Sequence, residues 1–183
     1  MTRAWPFAWS GESWRCVVVR SVAEQVVVVT GASSGIGRET ALEFGRRGAR
    51  VVVAARTKRA LDEVAAEVER LGGEALVVPT DVSDFGQVSE LAERAVQRFG
   101  RIDTWVNNAS VSSYGVVEEM DVDEIHRVVE VNLLGPIHGM KAALPHLRRT
   151  GGGTIVNVSS TLGKRAVPLQ AAYCAAKHGV VAF

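Results

Sequence analysis

Five short apolar runs, rich in β-branched residues, recur along the chain with longer amphipathic stretches between them. They cover residues 26–30, 50–55, 75–79, 102–106 and 154–158. Runs without period-two alternation suit strands buried on both faces, the pattern of a parallel sheet. Between them, Leu61, Val64, Ala65, Val68 and Leu71 share one face at helical spacing, as do Val88, Leu91, Ala92, Ala95 and Phe99. Gly72-Gly73 and Gly100 supply the C-terminal stops. A long helical region is expected over 121–149, bent near Gly135-Pro136, with a further helix from Pro168. Strand–helix alternation with right-handed crossovers predicts a three-layer, doubly wound α/β domain of Rossmann-like type. Its five parallel strands are expected in the order 3-2-1-4-5.

Composition narrows the function. Of 183 residues, 47% are hydrophobic, enough to bury a core, and 21 basic residues nearly balance 20 acidic ones. A net charge of +1 argues against nucleic acid or a membrane surface as a partner held by bulk charge. Cys16 and Cys174 cannot build a disulfide framework and fit a reducing compartment. No apolar run approaches the ~20 residues of a membrane span, so a cytoplasmic location is expected. His126, His138, His146 and His178 lack metal-ligand spacing, so no metal is expected and surface or capping roles are assigned. Residues 1–24 carry Trp5, Trp9 and Trp14 without any period and read as a leader, disordered or outside the fold. A docking segment is the alternative. The domain proper is expected over 25–183.

The chemistry sits at strand ends. The first strand runs into Thr30-Gly31-Ala32-Ser33-Ser34-Gly35-Ile36-Gly37 and then a helix. Glycines there let the backbone approach a pyrophosphate, whose charge meets the helix N-terminus. An ordinary small-residue turn is the plainer reading, and the strand before and helix after argue against it. Arg56 lies 19 positions after Gly37, near the ~20 at which a ribose-recognising carboxylate would stand. No acid occupies that strand end; Lys58 and Arg59 follow instead. A guanidinium suits a 2′-phosphate, so NADP(H) is expected before NAD, against the alternative of a solvated helix start. Asp81-Val82 and Asn107-Asn108-Ala109-Ser110 follow the third and fourth strands, at the rim where such sheets bind ligands. Each alone could be a cap or turn. Tyr173 and Lys177 are four apart on one helix face, where an ammonium would favour the phenolate over the phenol. Ser159-Ser160 ends the fifth strand and offers a hydroxyl to a substrate oxygen. Such pairs are common on helix surfaces, and the Tyr–Lys pair is weak taken alone.

Together, TGASSGIG (30–37), DV (81–82), NNAS (107–110), VNLLG (131–135), IVNVSS (155–160) and YCAAK (173–177) stand in the order of the short-chain dehydrogenase/reductases. From about Val26 to Phe183 the chain resembles that family. The resemblance implies hydride transfer between NADP(H) and a small-molecule carbonyl or secondary alcohol. Tyr173 would be the acid/base, and Lys177 would bind the nicotinamide ribose and lower the tyrosine pKa. Ser160 would polarise the substrate oxygen, and Asn132 would hold a water linking Lys177 to solvent. Gly31, Ser33, Ser34, Gly35, Ile36 and Gly37 would cradle the pyrophosphate. Asp81 and Val82 would meet the adenine, and Asn108, Ala109 and Ser110 would border the cofactor. Homo-oligomerisation is implied through the helices around Asn132 and Tyr173. The competing class is a non-catalytic dinucleotide-binding protein or an inactive fragment.

Two departures from the family pattern stand out. Ser110 occupies a position that is usually glycine, which raises the question whether its backbone needs a glycine-only φ. Relatives also carry two further strands and a substrate-covering segment after the tyrosine helix. Without them the 183-residue chain is expected to be incomplete at its C-terminus and to turn over little, unless two copies cover each other.

Overall fold

The computed structural model describes residues 20–183. Trp5, Trp9, Trp14, Cys16 and most of the expected leader therefore lie outside the described residues. Residues 20–24 join the fold: Val22–Glu24 make one 3₁₀ turn closed by a Ser21–Glu24 capping box, and Val22 packs under the sheet.

Five parallel strands form one sheet: β1 (Val26–Thr30), β2 (Arg50–Ala55), β3 (Glu74–Pro79), β4 (Thr104–Asn107) and β5 (Thr154–Asn157). Their spatial order is β3-β2-β1-β4-β5. Six α-helices follow or bridge them: α1 (Gly35–Arg46), α2 (Lys58–Arg70), α3 (Phe85–Phe99), α4 (Val122–Val129), α5 (Gly135–Arg149) and α6 (Ala171–Ala182). The alternation of β1 side chains creates the three layers. Val26 and Val28 face α3 and α5 with Leu91, Ala95, Ala143 and Leu147, whereas Val27 and Val29 face α1 and α2 with Leu42, Leu61 and Val68. Chain order reverses between β1 and β4, which opens a crevice at the carboxyl ends of these strands.

Several boundaries differ from the pattern in the sequence. Burial on both faces holds for β1, β2 and β4 but not for β3 and β5, which lie at the sheet edges and keep partly open faces. β4 starts at Thr104, not at 102, because Asp103 turns its carboxylate to the Val26 N–H at 2.9 Å and pairs with Arg101. α6 starts at Ala171, not Pro168, since Leu169 adopts φ +66°, outside any right-handed helix. The long helical region breaks into α4 and α5 through a π turn, Glu130–Leu134. Pro136 explains it: proline has no N–H for the carbonyl of Asn132 four residues earlier, and its ring crowds that carbonyl. The bend is therefore just ahead of Gly135-Pro136. His146 is buried between α5 and α3, against Glu93, contrary to the surface or capping role assigned to it. Among the described residues no cluster of His, Cys, Asp or Glu could hold a metal, and no helix is long and apolar enough to cross a membrane.

Candidate active site

The glycine turn is shaped by a strand distant in sequence. Thr30 Oγ1 accepts the Asn108 N–H at 3.0 Å and the Ala109 N–H at 3.3 Å, and donates to the Val106 carbonyl. Asn108 Nδ2 donates back to the Thr30 and Gly31 carbonyls. The two segments touch so closely that a Cβ on Gly31 would lie 2.7 Å from Ala109 Cα and one on Gly37 2.4 Å from Asn108 Nδ2. Gly35, at φ +53°, has open space on its Cβ side and leads into an α1 first turn free of acidic residues. Small residues, open space and a positive helix end make a cradle fit for a pyrophosphate.

A cavity of about 430 Å³ runs along the strand ends from this cradle. Ala55, Arg56 and Thr57 line it at β2, Thr80, Asp81 and Val82 at β3, Asn108–Val111 at β4, and Val158, Ser159, Tyr173 and Lys177 at the β5 side. Ser33, Ser34 and Ile36 complete the wall near Gly31. Arg56 makes no ion pair or hydrogen bond among the described residues, whereas Lys58 pairs with Asp62, Arg59 with Glu63 and Arg38 with Glu67. Burial alone would raise the Asp81 carboxyl pKa, but hydrogen bonds from Arg127 and Ser83 outweigh it and hold the carboxyl below its ordinary value.

Tyr173 stands where this cavity meets a second one of about 310 Å³, lined by Ser112, Tyr114, Ser160, Leu162 and Gln170. Ser110 and Val111 also line both. The loops around the second cavity are tied together by Gly115 N–H to the Leu169 carbonyl at 3.0 Å and Gln170 Nε2 to Ser112 Oγ at 3.0 Å. Lys177 is buried beneath, its Nζ donating to the Val158 carbonyl at 2.9 Å and lying 5.7 Å from the Tyr173 ring centroid. Burial pushes the lysine pKa down. Ser160 Oγ accepts the Leu162 N–H, which leaves its own proton free to donate.

Asn132 is fully buried behind the cavity wall. Its Oδ1 accepts from Val111 N–H at 2.9 Å and Ser110 Oγ at 3.1 Å, and its Nδ2 donates to the Val111 carbonyl at 2.7 Å. The side chain thus fastens the 110–111 segment; its main-chain carbonyl is the group that Pro136 leaves without an α-helical donor. Ser110 needs no glycine-only φ, because Leu169 is the only non-glycine with positive φ among the described residues.

Arg127, Gln170 and Thr57 line these cavities without having been singled out in the sequence. Arg127 gave no local signal: Asp123 and Glu124, four and three residues before it, look like its partners, yet it reaches Asp81. Gln170 follows a proline-bearing loop and reads as solvated, yet is buried.

A parallel sheet with a glycine cradle at its order reversal defines a nucleotide-binding α/β protein of the Rossmann type. A family model described as short chain dehydrogenase matches residues 25–183, and the chain belongs to that family of dinucleotide-dependent oxidoreductases. It is 41% identical over 163 residues to the uncharacterized oxidoreductase YxnA of Bacillus subtilis (strain 168), covering 88% of this chain and 46% of that protein. The solved alcohol dehydrogenase from the archaeon Thermococcus sibiricus, in complex with 5-hydroxy-NADP, is 35% identical with a TM-score of 0.82. That match covers 86% of this chain and 67% of the other. A short chain dehydrogenase/reductase from Burkholderia phymatum, in complex with NAD, is 33% identical with a TM-score of 0.86, covering 90% and 59%. The chain spans about half the length of the curated relatives it matches first.

Proposed function

We propose that this protein interconverts a carbonyl and a secondary alcohol, using NADP(H) as hydride donor or acceptor. The observation that carries the reading is the position of Tyr173 at the junction of the two cavities, with Lys177 beneath it. The nicotinamide, when bound, supplies or receives the hydride. In the reducing direction the Tyr173 hydroxyl gives its proton to the substrate oxygen as hydride reaches the carbonyl carbon. In the oxidising direction the phenolate takes the alcohol proton as hydride leaves the same carbon. A lysine cation close to the ring favours that phenolate. Ser160 donates its free proton to the substrate oxygen in the second cavity. Asn132 holds the 110–111 wall through its side chain, and its main-chain carbonyl is suited to accept from a water on the proton path.

The preference for the 2′-phosphorylated cofactor rests on Arg56, which faces the cavity without a carboxylate beside it. Tyr173→Phe, made in a full-length version of this protein, tests the whole reading. It should keep dinucleotide affinity within about two-fold while turnover falls by ~100-fold or more. Carbonyl-dependent NADPH oxidation and a fluorescence titration read the two quantities. Persistent turnover would refute the acid/base role, and unaltered protein that binds but never turns over would favour a non-catalytic binding protein.

A further inference from the structure

Three successive residues leave the end of β5, and each offers a different group. The Val158 carbonyl accepts from Lys177 Nζ at 2.9 Å. The Ser159 hydroxyl donates to the Lys177 main-chain carbonyl at 3.2 Å. Ser160 lines the second cavity, where Tyr173 also stands. Val158 is itself anchored to β4, through its N–H to the Asn107 carbonyl at 2.9 Å. One buried lysine is thus held at both ends, its head by residue 158 and its root by residue 159. The contact leaves little slack. A Cβ on Gly163, in the 3₁₀ turn Thr161–Gly163, would lie 2.7 Å from both the Lys177 carbonyl oxygen and Ser159 Oγ. The Gly163 N–H donates back to the Ser160 carbonyl at 2.9 Å.

Resting on the acid/base reading above, we propose that Ser159 is a positioning residue for that chemistry. Its hydroxyl staples α6 to the end of β5 at the root of Lys177, so that the lysine head, the phenol of Tyr173 and the hydroxyl of Ser160 keep one register. A carbonyl has two lone pairs, so that of Lys177 can take the serine hydroxyl without leaving the α6 ladder. The bond at the lysine head could not do this alone, because a four-carbon stem can re-coil while its helix slides. Tyr173 lies one turn before Lys177 on the same helix, whereas Ser160 belongs to the strand side. Any slide of α6 against β5 therefore separates the two hydroxyls that are to meet one substrate oxygen. A misplacement of ~1 Å in such a set can cost ~100-fold in rate.

Loss of the staple has a signature that loss of stability alone lacks. Turnover in the oxidising direction needs the phenolate, which the lysine cation favours by its proximity to the ring. A lysine that drifts favours it less, so the rising limb of the oxidation rate moves to higher pH. The other titratable groups stay where they are. Arg56, and Asp81 with its partner Arg127, line the first cavity at its β2 and β3 ends, and Tyr114 lines the second. α4 and the π turn pack against α6 and carry Asp123, Glu124, His126, Arg127 and Glu130, of which Arg127 alone lines a cavity. On α6 itself, His178 Nδ1 lies 2.8 Å from the Cys174 carbonyl.

The test uses a full-length version of this protein and a panel of secondary alcohols that opens with isopropanol and cyclohexanol. NADP-dependent oxidation is followed against pH for the unaltered protein, Ser159→Ala, Ser159→Thr and Ser159→Cys. Ser159→Ala should lose on the order of ten-fold in kcat, with alcohol KM within about three-fold. Its pH midpoint should rise by about half a pH unit or more. Ser159→Thr keeps the hydroxyl and should return the midpoint to that of the unaltered protein, whatever its methyl does to cofactor affinity. A midpoint unmoved in Ser159→Ala would overturn the proposal and leave the acid/base reading standing, even if the urea unfolding midpoint fell. No oxidation of any alcohol by unaltered protein would overturn both. If Ser159→Ala does not fold, Ser159→Cys decides, because a thiol is a poor donor and should move the limb part of the way. A Cys variant with the unaltered midpoint then sinks the idea.

Discussion

Arg56 differs from the basic residues around it in the company it keeps. Lys58, Arg59 and Arg38 are each neutralised by a nearby carboxylate, and Arg56 is not, among the described residues. A 2′-phosphate would bring the charge it lacks, whereas a bare ribose brings none. Arg56→Asp should therefore lower the NADPH:NADH affinity ratio by ten-fold or more, as expected for a charge-assisted pair replaced by a repulsive one. Parallel fluorescence titrations measure it, and an unchanged ratio would remove Arg56 from cofactor choice. Lys177 poses the opposite problem. Its burial disfavours the cation, so the folded state carries a cost at neutral pH that eases as pH rises toward the ordinary lysine value of 10.5. A group kept at such a cost beside Tyr173 fits a functional purpose better than a structural one.

At the level of elements, α5 is held to the sheet by a buried polar knot. Trp105 Nε1 donates to Asn107 Oδ1 at 2.7 Å, and Asn107 Nδ2 donates to Asn157 Oδ1 at 2.8 Å and to the Pro136 carbonyl at 3.2 Å. Gly139 lets the helix come this close, since a Cβ there would sit 2.1 Å from Asn107 Oδ1. Gly179 on α6 would set its Cβ 2.8 Å from Leu133 Cδ1, the end of a flexible side chain. Gly139→Ala should cost ~3 kcal/mol or more and Gly179→Ala about 1 kcal/mol, because only the second neighbour can move aside. Urea unfolding midpoints order the two; equal costs would mean that the knot yields. The same contrast explains what was legible in the sequence. β1 and β2 begin and end where the apolar runs do, because every residue of their interiors is buried and period alone decides them. The starts of β4 and α6 depend on single residues, Asp103 and Leu169, whose partners or torsions are set by distant segments. The linear motifs around the cavity could be read for the same reason as β1: each is local. Arg127 and the fastening role of Asn132 could not, because both act across the fold.

Across the whole molecule, the sheet has two halves of different sequence range. β1 pairs with β2, and β2 with β3, through one helix each, while β1 pairs with β4 across more than seventy residues, Val27 opposite Thr104. Thr30 is the polar link across that second seam, buried with three hydrogen-bond partners. Thr30→Val keeps its shape and strands those partners. It should cost ~1–3 kcal/mol in unfolding free energy. It should also weaken dinucleotide binding by several-fold, because Gly31 loses its frame. Unfolding and binding measured on the same preparation check this, and a stability loss with unchanged affinity would separate the seam from the cradle.

That seam has a further consequence for how the molecule comes into being. The hydrogen bonds from Asn108 to Thr30 and Gly31 mean that the turn takes its working shape only after β4 has docked. A nascent or partly melted chain, however well formed over β1 to β3, has no finished anion cradle. Dinucleotide therefore engages only molecules in which both halves have met, and by mass action draws the population toward them. At a hundred times its dissociation constant, the cofactor adds ~2.7 kcal/mol to the joined state. A dinucleotide pool that saturates the site would then act on this protein as a chaperone-like ligand, and its steady-state abundance should follow cofactor supply.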